Sequence, residues 1–378
     1  PESHHFSKIY IQQSYEYPGS GNTVDRNKTQ TSGIYIYDQG LNELNNPVNT
    51  GIVPNVPEAY KATFGANRDA MKRLAINPIT GQLAFCHNIS GLGSVWAMNR
   101  DDMTAAATNL IDGITAFNKP NSLCFDEDGT LFVLADGDYS STLGSLGTIY
   151  KIVDGTATAF STFKYANGEN AIASDGKGGL WVAQQRNNLD GFSAYTHHKA
   201  NGEVDYTVTK NSSAEVKSLF QHTAEYMSKR GAIAYDVKRD ILAVGGDKKV
   251  ILFSVAYDAT TGAPTLTKLL ATPTIGSNID GIAFDYAGDV YVVSSASEKF
   301  YKFEVPTETN VCTTPAPKAQ VIINSDEVVL YTITATVNDE TMGTVSGAGK
   351  YYEGETVILK ATPKTHHEFV NWSNGATE

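Results

Sequence analysis

Three cysteines in 378 residues, Cys86, Cys124 and Cys312, are too few and odd in number for a disulfide framework, so the core must hold the fold. Long apolar runs are missing as well. No stretch approaches the ~18 consecutive apolar residues that a helix needs to cross a bilayer. Positive charge is scarce. With 29 Lys and Arg against 41 Asp and Glu the net charge is −12, which repels phosphate backbones, so nucleic acid is not an expected partner. No initiator Met and no charged-then-apolar leader precede Pro1, which fits a processed, exported chain. The common catalytic signatures are absent too. No histidines stand at HExxH spacing, the Gly191 to Tyr195 stretch lacks the second glycine of a GxSxG elbow, and no Walker or GxGxxG loop occurs.

What is plentiful is Gly (33) and Tyr (20), a composition suited to strands and tight turns. Self-similarity organises them. Segments starting at residues 73, 122, 171, 232 and 281 each give an apolar strand, a turn with Asp, Asn or Gly, and a second apolar strand, at spacings of 49, 49, 61 and 49. A third strand follows at 94–98, 148–153, 191–195, 250–255 and 300–305, and a fourth is visible in places, as at 265–270. Four short antiparallel strands repeating every ~40–50 residues is the pattern of a β-propeller blade. The long spacing coincides with 212–230, where Ser212 and Glu215 have capping-box spacing and Val216, Leu219, Phe220 and Met227 share one face, which predicts an inserted helix.

At the N-terminus, 8–13 and 33–38 read as the second and third strands of a blade lacking its first. The expected fold is therefore all-β, a six-bladed propeller over 1–305, with a closing strand for the first blade from 318–324. Seven blades remain open if 41–70 holds further strands. Stretches such as Gly281 to Ser294 and Ser122 to Asp136 resemble NHL-type and lactonase-like propeller repeats. In such repeats Gly281 is expected to sit where packing is close.

A Pro- and Thr-rich linker is expected over 306–328, then a small module over 329–378. There, Gly343, Val345, Gly347, Gly349, Tyr351, Gly354, Val357, Leu359, Ala361, Pro363, Phe369, Trp372, Ser373 and Gly375 follow a pattern that resembles the divergent internalin B-type repeat of bacterial surface proteins. The resemblance implies a β-grasp-like fold, attachment at a cell surface, and a natural chain that continues past Glu378.

The histidines, including His87, His197 and His198, read as surface or packing residues, and the acidic run Asp126, Glu127, Asp128 as a hairpin turn rather than a calcium loop. Cys86 and Cys124 lie in apolar strands and are expected to be reduced and buried. Position then nominates a site. In a propeller the residues just before the innermost strands crowd one mouth of the central channel, and here these are Arg73, Asn121, Glu169, Asn170, Arg230 and Asp280, with Lys72, Lys229 and Asn278 beside them. Tyr-rich surfaces and the tail module suggest an exported, cell-surface binding protein that captures an extracellular glycan or protein, with no resident cofactor. The alternative is a metal-dependent lactonase-like hydrolase. The resemblance to gluconolactonase-like propellers implies a divalent metal such as calcium on Asn121 and Asp280. The two stand three blades apart where the family has neighbours, and only Glu16 is at hand for the family's N-terminal Glu.

Overall fold

The structure, a computed structural model, describes residues 8–13, 33–38, 55–57, 71–88, 93–111, 120–135, 147–161, 170–184, 193–209, 212–213, 232–245, 248–275, 279–285, 287–294, 299–305, 319–322, 330–352 and 357–377. The predicted helix beyond Ser213, most of 41–70, the linker over 306–318 and Cys312 lie outside them.

Every described element is a strand. The N-terminal pair, β1 (Lys8–Gln13) and β2 (Gly33–Asp38), is antiparallel, with Lys8 opposite Asp38 and Gln13 opposite Gly33. Five four-stranded sheets follow, each an antiparallel meander in chain order. The first is β3 (Met71–Ile76), β4 (Leu83–His87), β5 (Ser94–Met98) and β6 (Thr108–Asn109). The second is β7 (Pro120–Phe125), β8 (Leu131–Ala135), β9 (Thr148–Val153) and β10 (Thr156–Ser161). The third is β11 (Ala171–Ser174), β12 (Leu180–Ala183), β13 (Ser193–His198) and β14 (Val204–Thr209). The fourth is β15 (Ile233–Asp236), β16 (Ile241–Gly245), β17 (Val250–Tyr257) and β18 (Pro264–Ala271). The fifth is β19 (Gly281–Phe284), β20 (Val290–Ser294), β21 (Lys299–Phe303) and β22 (Ala319–Ile322). Innermost strands lie side by side, β3 by β7, β7 by β11, β11 by β15 and β15 by β19, which is a β-propeller arrangement.

The core is divided among the interfaces between blades. Side chains along a strand alternate between the two faces of its sheet, so a strand covered on both sides must be apolar throughout. β8 shows this directly. Leu131, Val133 and Ala135 pack with Ala84, Cys86 and Val95 of the preceding blade, while Phe132 and Leu134 pack with Ile172, Leu180 and Val182 of the next. β2 has the same double role. Ile34 and Ile36 join Leu83, Phe85 and Trp96 of the first full blade, and Tyr35 and Tyr37 join Tyr291 and Phe300 of the last. The β1–β2 sheet thus sits between the first and last blades and brings the two ends of the repeat array together.

The expected closing strand is corrected. Residues 319–322 pair with β21, Phe300 opposite Ile322 and Phe303 opposite Ala319, as the outer strand of the last blade. Each of the preceding blades is likewise completed by the next segment of chain, and β21 would otherwise leave its outer ladder unpaired. Beyond it, β23 (Leu330–Ile333) pairs with β25 (Gly349–Tyr352), and β24 (Gly343–Ser346) with β26 (Lys360–Pro363). Along the tail Ile333, Ala335 and Val337, and later Val357, Leu359 and Ala361, are half-buried, and within each of these two stretches the residues between them are exposed. None of the tail side chains described is fully buried.

Candidate functional site at the channel mouth

Each innermost strand begins opposite the end of the second strand of its blade: Met71 faces His87, Pro120 faces Ala135, Ala171 faces Ala183 and Gly281 faces Val293. The strand starts therefore gather at one end of the ring. Two of the nominated residues are held there by β-bulges. The β3–β4 register shifts between Lys72 and Leu74, and the β7–β8 register between Pro120 and Ser122, which makes Arg73 and Asn121 the extra residues. A bulge sacrifices a ladder position and re-aims a side chain, and bulges are frequent beside binding sites. Arg73 also has a φ of 46°, a left-handed conformation uncommon for a side chain of its size.

From that position the Arg73 guanidinium donates a hydrogen bond to the backbone carbonyl of Asp280, 207 residues away in sequence. The contact joins the first full blade to the last across the β1–β2 sheet. Asn121 is buried, and so is Asn170 immediately before β11. Ser122 Oγ, next to the bulge, accepts the Ile172 backbone N–H at 3.1 Å, tying the second blade to the third. The structure thus places Arg73, Asn121, Asn170 and Asp280 at strand starts as expected, and links Arg73 with Asp280 directly. Glu169 and Arg230 lie outside the described residues, as do Lys229 and Asn278, and Lys72 lies in β3 without a described side chain.

Sequence reasoning missed the second-strand ends that face these starts. His87, Gln184 and Ser294 are buried polar residues there. Their signal was a polar residue closing an apolar run three times over, at LAFCH, LWVAQ and VYVVS. Of the two roles expected for the histidines, His87, His197 and His198 take the packing one: all three are buried, the last two within β13. Cys86 and Cys124 are buried thiols without a disulfide, and the Asp126 to Thr130 segment is a hairpin turn closed by Asp126 N–H to Thr130 O at 2.9 Å. Among the described residues Gly281, expected to sit where packing is close, is not crowded: an added Cβ would meet Val293 at 3.9 Å and no other described side chain within 4 Å.

A divalent ion at Asn121 and Asp280 fits this geometry poorly. The Arg73 guanidinium on the Asp280 backbone carbonyl places a fixed cation at one of the two residues.

Residues 333–378 match the family model described as the divergent InlB B-repeat domain, and this segment is such a repeat. No curated protein matches the chain. Among solved structures, the chain is similar to a gluconolactonase of Xanthomonas campestris at 13% identity, covering 71% of this chain and 77% of that one, with a TM-score of 0.43. Virginiamycin B lyase of Staphylococcus aureus gives 12% identity, 85% and 90% coverage and a TM-score of 0.44. An auxiliary nutrient binding protein of Bacteroides ovatus gives 12%, 67% and 57%, and 0.41. Likenesses this distant carry no chemistry over to the present chain.

Proposed function

We propose that this is an exported, cell-surface binding protein whose propeller captures an extracellular glycan or protein ligand at the channel mouth. The propeller has six blades in this reading, the β1–β2 sheet being the sixth, and the tail repeat is a β-grasp-like surface module. The observation that carries the site is the pair of bulges. Two innermost strands each give up a ladder position at the same end of the ring, and one of the residues so displayed, Arg73, adopts a left-handed backbone worth about 1–3 kcal/mol of strain. Strain of this kind persists where the surrounding structure imposes it, and binding sites are a frequent reason. The internalin B-type repeat supports the surface location.

Glycan arrays and purified envelope proteins presented to the parent chain and to Arg73→Ala and Asn121→Ala provide the test. A ligand held at the mouth loses about 1–3 kcal/mol of affinity when a charge-assisted hydrogen bond from Arg73 is removed. Equal binding by all three folded proteins would move the site to the blade rims or the tail. Metal analysis of the purified chain addresses the hydrolase alternative, which requires a stoichiometric divalent ion lost on Asp280→Asn.

A further inference from the structure

Away from the mouth, the third blade buries an ionisable cluster that the binding reading does not use. His197 of β13 has both ring nitrogens on carboxylates: Nε2 lies 3.0 Å from Asp175 Oδ2 and Nδ1 lies 2.6 Å from Asp205 Oδ1. All three side chains are nearly inaccessible, at 2% for His197, 4% for Asp175 and 8% for Asp205. Asp175 belongs to the turn between β11 and β12, and Asp205 to β14, so the imidazole bridges the inner turn of the blade to its outer strand.

We propose that His197 is held as an imidazolium between Asp175 and Asp205, an internal ionic lock that pins the β13–β14 hairpin to the inner turn of its blade.

The argument is one of donors and acceptors. An ionised carboxylate only accepts, so two ionised aspartates on the two nitrogens require an N–H on each, which is the cationic ring. Asp175 is fixed as an acceptor on its other oxygen, since Oδ1 takes the backbone N–H groups of Lys177 at 2.7 Å and Gly179 at 2.8 Å. Burial works to raise its carboxyl, but the His197 bond and these backbone donors outweigh it and hold Asp175 below the usual carboxylate range. Asp205 has its second oxygen buried with no hydrogen-bond partner among the described residues, which leaves His197 to balance its charge.

The surroundings suit a cation. The Trp181 ring of β12 lies 4.7 Å from the imidazole centroid and the Tyr257 ring of β17, in the next blade, 5.6 Å away. The competing positive charge nearby is Lys177, which stands over the Tyr257 ring and pairs with Asp240 at 2.5 Å. His198, the adjacent titratable group, is satisfied as a neutral ring, with Thr196 Oγ1 on Nε2 at 3.1 Å and the Gly202 carbonyl on Nδ1 at 3.4 Å. Tyr206 of β14 completes the set, its ring against Trp181.

Nitrogen-15 spectra of the full chain at neutral pH read the proposal directly, with the His197 ring assigned through its contacts to Trp181. Two ring nitrogens at N–H-type shifts are the expected result, and one nitrogen at the shift of an unprotonated acceptor overturns it. Hydrogen exchange in Asp205→Asn tests the lock, because this change keeps the shape and removes one charge. Amides over 199–204 are expected to exchange about tenfold faster while those over 232–245 stay unchanged. Unaltered exchange over 199–204 would show that the hairpin is not pinned by this charge.

Discussion

At the scale of single residues, much of what matters is room and solvation. Gly176 has a φ of 73°, and an added Cβ would lie 2.8 Å from Val237 Cγ1, on the equivalent turn of the next blade. The inner turns thus interlock around the ring, and glycine serves both the turn and its neighbour. Gly176→Ala is expected to cost about 1–3 kcal/mol in denaturant unfolding, from left-handed strain plus overpacking. Gly281→Ala is the matched control, being uncrowded, and an equal loss there would contradict the interlocking. Cys124 makes the solvation point. Burial first, then the Asp126 carboxylate, pushes its thiol well above the usual range. Little Cys124 thiolate exists at neutral pH and Cys86 is shut away from solvent, so both native thiols should resist maleimide labelling until the protein is unfolded. Rapid native labelling of both would show the first and second blades to be open.

At the scale of elements, β13 shows how burial becomes a pH response. Desolvation is the main reason that His198 is lowered to about 4. The folded ring therefore stays neutral while an unfolded chain, near 6.5, takes up a proton. For a group depressed in this way, stability falls as pH drops from about 6.5 to about 4, by roughly 3 kcal/mol in total. Urea unfolding of the parent across that range is expected to show the decline, and His198→Gln a shallower one; identical slopes would sink the assignment. The strands themselves were legible in the sequence: 8–13, 33–38, 94–98 and 148–153 coincide with β1, β2, β5 and β9. In β2 and β5 continuous apolar runs bounded by turn residues made them so, because both faces are covered. The outer strands were largely illegible. β10 (TATAFS) and β14 (VDYTVT) are partly exposed along most of their length and carry no apolar run, and β22 follows a Pro-rich stretch that hides its pairing. The mouth residues could be nominated from their place before each strand. The bulges that display Arg73 and Asn121 could not, since a bulge is a relation between two strands, and neither strand alone encodes it.

At the scale of the whole molecule, the distinctive feature is how the ring is brought to closure. A propeller whose first and last blades did not adhere would expose two apolar sheet faces, and here the β1–β2 sheet covers both. On the last-blade side the contact is aromatic. Tyr37 and Phe300 have ring centroids 5.7 Å apart, Phe300 and Tyr291 5.9 Å, and Tyr35 joins them. Truncating a buried aromatic to Ala costs about 3–5 kcal/mol when the cavity cannot collapse. A pair acting only through its own contact would add about 0.5–1.5 kcal/mol of coupling. If this interface is what holds the ring shut, Tyr37→Ala and Phe300→Ala should each remove much of the closure energy, because either one opens the same seam. The double variant should then be little worse than the single ones, with a coupling energy above that of an isolated aromatic pair. Denaturant unfolding of the four proteins measures it. Simple additivity would mean that the ring is held shut elsewhere, through β1 against β3 and the Arg73 bond to Asp280.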